Sequence, residues 1–148
     1  MATQLGNFRL EHFRVGLRAV RFWVGEEAMQ FRALAAFTAM FCWVLAAALC
    51  FAPGVLAGLF AVDFSYPVGL VMRRAGAIFV GLGLMFWLAR EAGPSAARTG
   101  LSAGFAAACG LLAASGAYEY LTGHAGAGIL AAAAVEVALA AALATTRV

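Results

Sequence analysis

Four ionisable residues stand where apolar sequence surrounds them: Arg73, Arg74, Glu119 and Glu136. A guanidinium or carboxylate inside a bilayer costs several kcal/mol unless it is paired, hydrated or neutralised, so its presence asks for a reason. Glu136 lies twelve residues after His124 and eleven before Arg147, about 17 Å from either charged flank at 1.5 Å per residue, which is mid-membrane depth. Arg73 lies about 10 Å inside the second apolar run, and its long side chain has the reach to turn toward Glu136 or back toward Glu119 and Asp63. The four residues therefore predict a ligand or ion-pair cluster. It would serve either as a polar site for an anion, a proton or a small polar ligand, or as a buried pair that fixes helix register.

Other chemistry is sparse. No Ser/His/acid spacing, Gly-rich phosphate loop or paired His ligands occur, which predicts a protein that is not an enzyme. His12 and His124 fall on opposite sides of the membrane and cannot clamp a haem between them. His124, in the small-residue setting TGHAGAG, has room beside it for a chlorophyll-type magnesium, and a polar loop histidine is the plainer reading. No metal site and no cofactor are predicted; a pigment or a lipid is the kind of group such a chain could hold. Cys42, Cys50 and Cys109 lie within apolar runs, are odd in number, and read as small apolar fillers.

The elements that must position these groups follow from composition. Of 148 residues, 65% are apolar and 11% charged, with a mean hydropathy of +0.92, which excludes an ordinary water-soluble globule. The apolar residues fall in runs of bilayer length, predicting spans at about 31–52, 68–89, 101–118 and 125–144. Pro53 stops the first, and the short run GVLAGLFAV after it predicts an apolar half-helix at the far surface. The expected fold is an all-α integral membrane four-helix bundle over 28–148, preceded by an amphipathic interfacial helix in 1–27.

That N-terminal segment carries Leu10, Phe13, Leu17, Val20 and Val24 on one stripe and Glu11, Arg14, Arg18 and Arg21 on the next, with Phe22 and Trp23 widening the apolar face. Phe13, Arg14, Leu17, Arg18, Val20, Arg21 and Trp23 are the expected partner or lipid interface, either anchoring the chain at a membrane surface or docking it on another subunit. In the third span, Gly100, Gly104 and Ala108, with Ser102, Ala106 and Gly110 beside them, predict close packing against the fourth.

The ten arginines, with no lysine, gather in the N-terminal segment, in the loop with Arg90 and Arg98, and at Arg147 in the tail. This predicts an inner-membrane protein with both termini cytoplasmic, and it argues against a nucleic-acid partner. Arg73 and Arg74 are the exception on the opposite side. The expected partners are membrane lipid and other integral membrane subunits. The function predicted is that of a non-catalytic accessory or scaffolding subunit. A small transport or ligand-binding protein built on the Arg/Glu cluster is the alternative, and a pigment-associated subunit a lesser one.

At FAPGVLAGLF followed by RRAGAIFVGLGLMFWLAR the chain resembles the small four-span bacterial membrane proteins of the DoxX-like and unknown-function group, in the Pro-led half-helix and the Arg-x-x-Gly at the head of span two. The likeness runs from about Phe31 to Val148, and the Arg-rich N-terminal helix is an addition to that pattern. It implies a four-helix bundle, with Arg73 or Arg74 as the matching arginine.

Overall fold

The computed structural model describes residues 29–145, and the segment expected to form the N-terminal interfacial helix lies outside them. The described residues form five helices and no strand: α1 (Met29–Phe51), α2 (Pro53–Leu59), α3 (Tyr66–Ala89), α4 (Ala96–Leu121) and α5 (Gly128–Thr145). All but α2 are long and apolar enough to cross a bilayer. They alternate in direction, so α1 starts and α5 finishes at one end, here the terminal end; α2 and the α4–α5 turn lie at the distal end.

The large apolar side chains point outward. Phe51 is 88% exposed and Leu121 81%, with Phe37, Val44, Ile78, Leu88 and Leu111 also exposed. A water-soluble monomer does not carry so continuous an apolar surface, whereas lipid tails solvate it without cost. The small residues turn inward instead. On α1 the buried positions Ala35, Ala39, Cys42, Ala46 and Leu49 recur at alternating steps of four and three, the seam of near-parallel helices.

Across from that seam, α3 buries Gly69, Gly76 and Gly83, one glycine every seven residues. A Cβ at Gly76 would stand 3.1 Å from the Ala46 carbonyl oxygen and 2.6 Å from Cys50 Sγ; one at Gly83 would stand 3.1 Å from the Ala39 carbonyl and against Trp43 Nε1. The two backbones thus touch where lipid supplies no drive for association, and dispersion together with weak Cα–H to carbonyl bonds takes its place. Trp43 then donates from Nε1 to the Val80 carbonyl at 3.4 Å.

The second close pair is α4 with α5. The buried face of α4 runs Ser102, Phe105, Ala106, Cys109, Ala113 and Gly116, and Ile129 fits against Gly116 at 3.3 Å from where its Cβ would be. Close packing of the third and fourth spans is therefore present, but through this face. Gly100, Gly104 and Gly110 point the other way, with nothing within 4 Å of a Cβ at any of them. The two pairs meet in a core at the terminal end, where Phe31, Phe86, Phe105, Leu139 and Leu143 pack together and Phe86 meets Phe105 edge to face at 4.9 Å.

The distal end is closed by backbone. Pro53 opens α2 at its first turn, as its fixed φ and missing N–H allow. Its C-terminus is a Schellman cap: Val62 N–H donates to the Ala57 carbonyl at 2.9 Å and Ala61 N–H to that of Gly58 at 3.1 Å, with Ala61 left-handed at φ 53°. Gly126 N–H donates at 2.7 Å to the Phe60 carbonyl, and Gly128 seats against the Leu59 carbonyl, so α2 rests on the start of α5 where only glycines leave room.

Candidate functional site

Arg73 and Arg74 lie in the eighth and ninth positions of α3, and both are exposed on the outer surface of the bundle. Arg74 falls opposite the Gly76 and Gly83 seam, whereas Arg73 falls beside it, its carbonyl accepting from Cys50 Sγ of α1 at 3.8 Å, and its side chain leaves the seam to stand exposed. Arg73 folds back along its own helix, Nη1 lying 3.6 Å from where a Cβ of Gly69 would be, so its charge moves toward the distal surface and away from mid-membrane.

Glu119 is engaged elsewhere. Its Oε2 lies 3.1 Å from His124 Nδ1, and that nitrogen lies 3.0 Å from Thr122 Oγ1. The Thr122 hydroxyl donates to the Tyr118 carbonyl at 2.9 Å, which makes Nδ1 of His124 the donor to both oxygens. In the neutral ring Nε2 then carries the lone pair. The arrangement ties the α4–α5 turn, whose Gly123 is left-handed at φ 77°, and leaves His124 70% exposed at the distal surface.

Glu136 sits midway along α5, half-buried, on the flank nearest Cys109 of α4. Its helix packs on α4, while Arg73 and Arg74 belong to the helix that packs on α1. Among the described residues, no arginine pairs with Glu119 or Glu136, and the four residues are not brought together. Helices that face different neighbours hold Glu136 and the arginines apart, and no pair forms.

At the terminal end the structure buries an arginine that the sequence reading put in a polar loop. Ser95 caps α4, its Oγ accepting from Arg98 N–H at 3.2 Å, so the helix begins at Ala96 and Arg98 enters its first turn, only 5% exposed. The guanidinium stacks 3.9 Å from the centre of the Phe31 ring, a cation–π contact strengthened by the absence of water. Thr38 is buried in the same region, its Oγ1 donating to the Leu34 carbonyl at 2.9 Å, and so is Ser102, one turn above Arg98. Ser95, after Gly93-Pro94 and directly before the long small-residue and apolar run, is the signal that locates this cap.

Nearby, Arg90 stacks on Trp87 at 3.8 Å and donates to its carbonyl, while Glu91 accepts from Arg32 at 3.3 Å and Arg90 at 3.5 Å. Arg32 and Glu91 are both more than half exposed, so this pairing ties the start of α1 to the end of α3 only weakly.

The outward stripe of α4 forms a shallow concavity. Gly100, Gly104 and Ala108 floor a groove of about 260 Å³, walled by Leu82 and Met85 of α3 and by Leu101 and Phe105. The floor is bare backbone and the walls are apolar, a shape fitted to another helix and without a group that does chemistry.

The expected interface residues Phe13, Arg14, Leu17, Arg18, Val20, Arg21 and Trp23 lie outside the described residues. Cys42, Cys50 and Cys109 are free thiols, the first and last of them buried. Among the described residues, no three of His, Cys, Asp and Glu converge as a metal site. Set against protein-family models, curated proteins and solved structures, the chain matches none.

Proposed function

We propose that this multi-pass membrane protein is a non-catalytic accessory or scaffolding subunit, docked on a larger membrane complex through the α4 groove and the N-terminal segment. The observation that carries this reading is the open Gly100, Gly104 and Ala108 stripe. Flanked by Leu82 and Met85 of α3, this stripe forms an apolar groove with bare backbone at its floor, suited to the close approach of another helix. A transport or ligand-binding role built on Arg73, Arg74, Glu119 and Glu136 draws no support from residues that stand on separate faces.

Leucine at Gly104 fills the groove without disturbing the bundle, since a Cβ there meets nothing within 4 Å. Tagged wild-type protein extracted in mild detergent is expected to bring down a stoichiometric membrane partner, and Gly104→Leu to lose most of it while still inserting. A wild-type protein recovered only as a homo-oligomer would overturn the reading.

The arginine distribution supports an inner-membrane protein with both termini cytoplasmic. A periplasm-active reporter fused after Val148 is expected to stay silent, and one inserted at Gly123 to be active. The reverse pattern would invert the topology.

A further inference from the structure

Charged residues in membrane spans ordinarily face the bundle interior, where another side chain compensates them. Arg73 and Arg74 face outward, and among the described residues neither has an ion pair. We infer that Arg73 and Arg74 clasp the phosphate of an anionic lipid in the distal leaflet.

Depth supports the assignment. The 24 residues of α3 extend about 36 Å against about 30 Å of hydrocarbon, so a centred span overhangs by about 3 Å at each end. The Cα atoms of Arg73 and Arg74 then lie about 7.5 and 9 Å inside the boundary, too deep for water to solvate a guanidinium held at that level. Gly69 lies only about 1.5 Å inside, and the Arg73 guanidinium is drawn up beside it. A side chain at Gly69 would occupy that path, and Phe64 covers the other side of the glycine at 2.9 Å from the Cβ position. The positive charge is therefore drawn to the edge of the hydrocarbon, within reach of lipid phosphates, through a gap that glycine keeps open.

Consecutive helical residues are about 100° apart, so a lipid phosphate lying between the two stems is within reach of both long side chains. Each offers a planar fork of N–H donors matched to phosphate oxygens. The exposed Tyr66, at the first position of α3, adds an aromatic ring at the interface where such rings settle. Asp63 and Glu119, the acids at this end, are on the loop before α3 and the end of α4, and neither neutralises the pair. A carboxylate from another protein's span is the competing counter-charge, but it would have to be brought to headgroup level, where lipid phosphate is already abundant.

Purified full-length protein in neutral detergent, titrated with phosphatidylglycerol and with phosphatidylcholine of the same chains, tests the inference by native mass spectrometry and thermal unfolding. Wild type is expected to bind phosphatidylglycerol at least tenfold more tightly than Arg73→Gln/Arg74→Gln and to unfold at higher temperature in its presence; Arg73→Lys/Arg74→Lys, which keeps charge and loses the fork, is expected to fall between. Equal binding by wild type and the double Gln variant would overturn it. So would a wild type that ignores lipid altogether, the result expected if a protein carboxylate covers the pair. Inorganic phosphate giving the same protection as the lipid would also overturn it, by pointing to a soluble anion. Should the double Gln variant fail to fold, Arg74→Gln alone is expected to weaken phosphatidylglycerol binding several-fold, and an unchanged affinity would count against the clasp.

Discussion

Gly76→Leu is expected to prevent stable assembly of the bundle. The first carbon of any side chain there would stand 2.6 Å from Cys50 Sγ, 3.1 Å from the Ala46 carbonyl and 3.2 Å from Leu49 Cβ. The sulfur can rotate away; the carbonyl and the Cβ belong to the α1 backbone and move only if the helices part. Parting them surrenders the contacts at Gly76 and Gly83 together, because a rigid helix cannot yield at one point of a straight contact. Overpacking alone costs about 1–3 kcal/mol in a core that can adjust, and this interface cannot, so a loss of about 3 kcal/mol or more is expected. Fluorescence-detected size-exclusion after heating would show it as a collapse of the monodisperse peak. Gly81→Leu is the control on the same helix, since a Cβ at Gly81 meets nothing within 4 Å, and it is expected to behave as wild type within about 0.5 kcal/mol. Equal behaviour of the two variants would refute the seam.

The second large effect is expected at Phe86. It is fully buried in the common core, with Phe79, Leu82 and Trp87 of the same helix only partly buried against it, and it meets Phe105 of α4 edge to face. Phe86→Ala opens a void at the junction of the two helix pairs. In a soluble core such a change costs about 3–5 kcal/mol, part of it the transfer of apolar surface from water. Lipid removes most of that part, leaving lost dispersion and the edge-to-face geometry, so about 2–3 kcal/mol is expected here. Thermal unfolding in detergent measures it. Leu88→Ala, on the lipid face of the same helix, is expected to change little.

The spans were legible because bilayer thickness imposes a length, and uncharged runs of that length announce themselves. Pro53 was legible too, its ring marking where one helix stops and a short one starts. What escaped was rotation. α5 is apolar on every side, so no stripe in its sequence says which face meets α4, and depth alone could not separate Glu136 from Arg73. The glycines of α3 recur every seven residues, and a reading tuned to spacing four passed over them while marking Gly100 and Gly104, which point to lipid. Arg98 was assigned to a loop because Ser95 and Pro94 resemble turn residues, although Ser95 also has the chemistry of a cap.

The pairing of α1 with α3 and of α4 with α5 bears on how the chain is born. Each pair is a hairpin contiguous in sequence, joined at the terminal end by the short stretch between Ala89 and Ala96. The first hairpin has all its glycine contacts available before α4 is synthesised, so it can settle in the bilayer while translation continues. The second inserts the same way, and the contacts that require both are those of the shared core, Phe86 with Phe105 and Arg98 on Phe31 among them, and the seating of Gly126 and Gly128 on α2. Little of the chain waits unpartnered in the membrane during synthesis, and the late joining step is a docking of two finished halves.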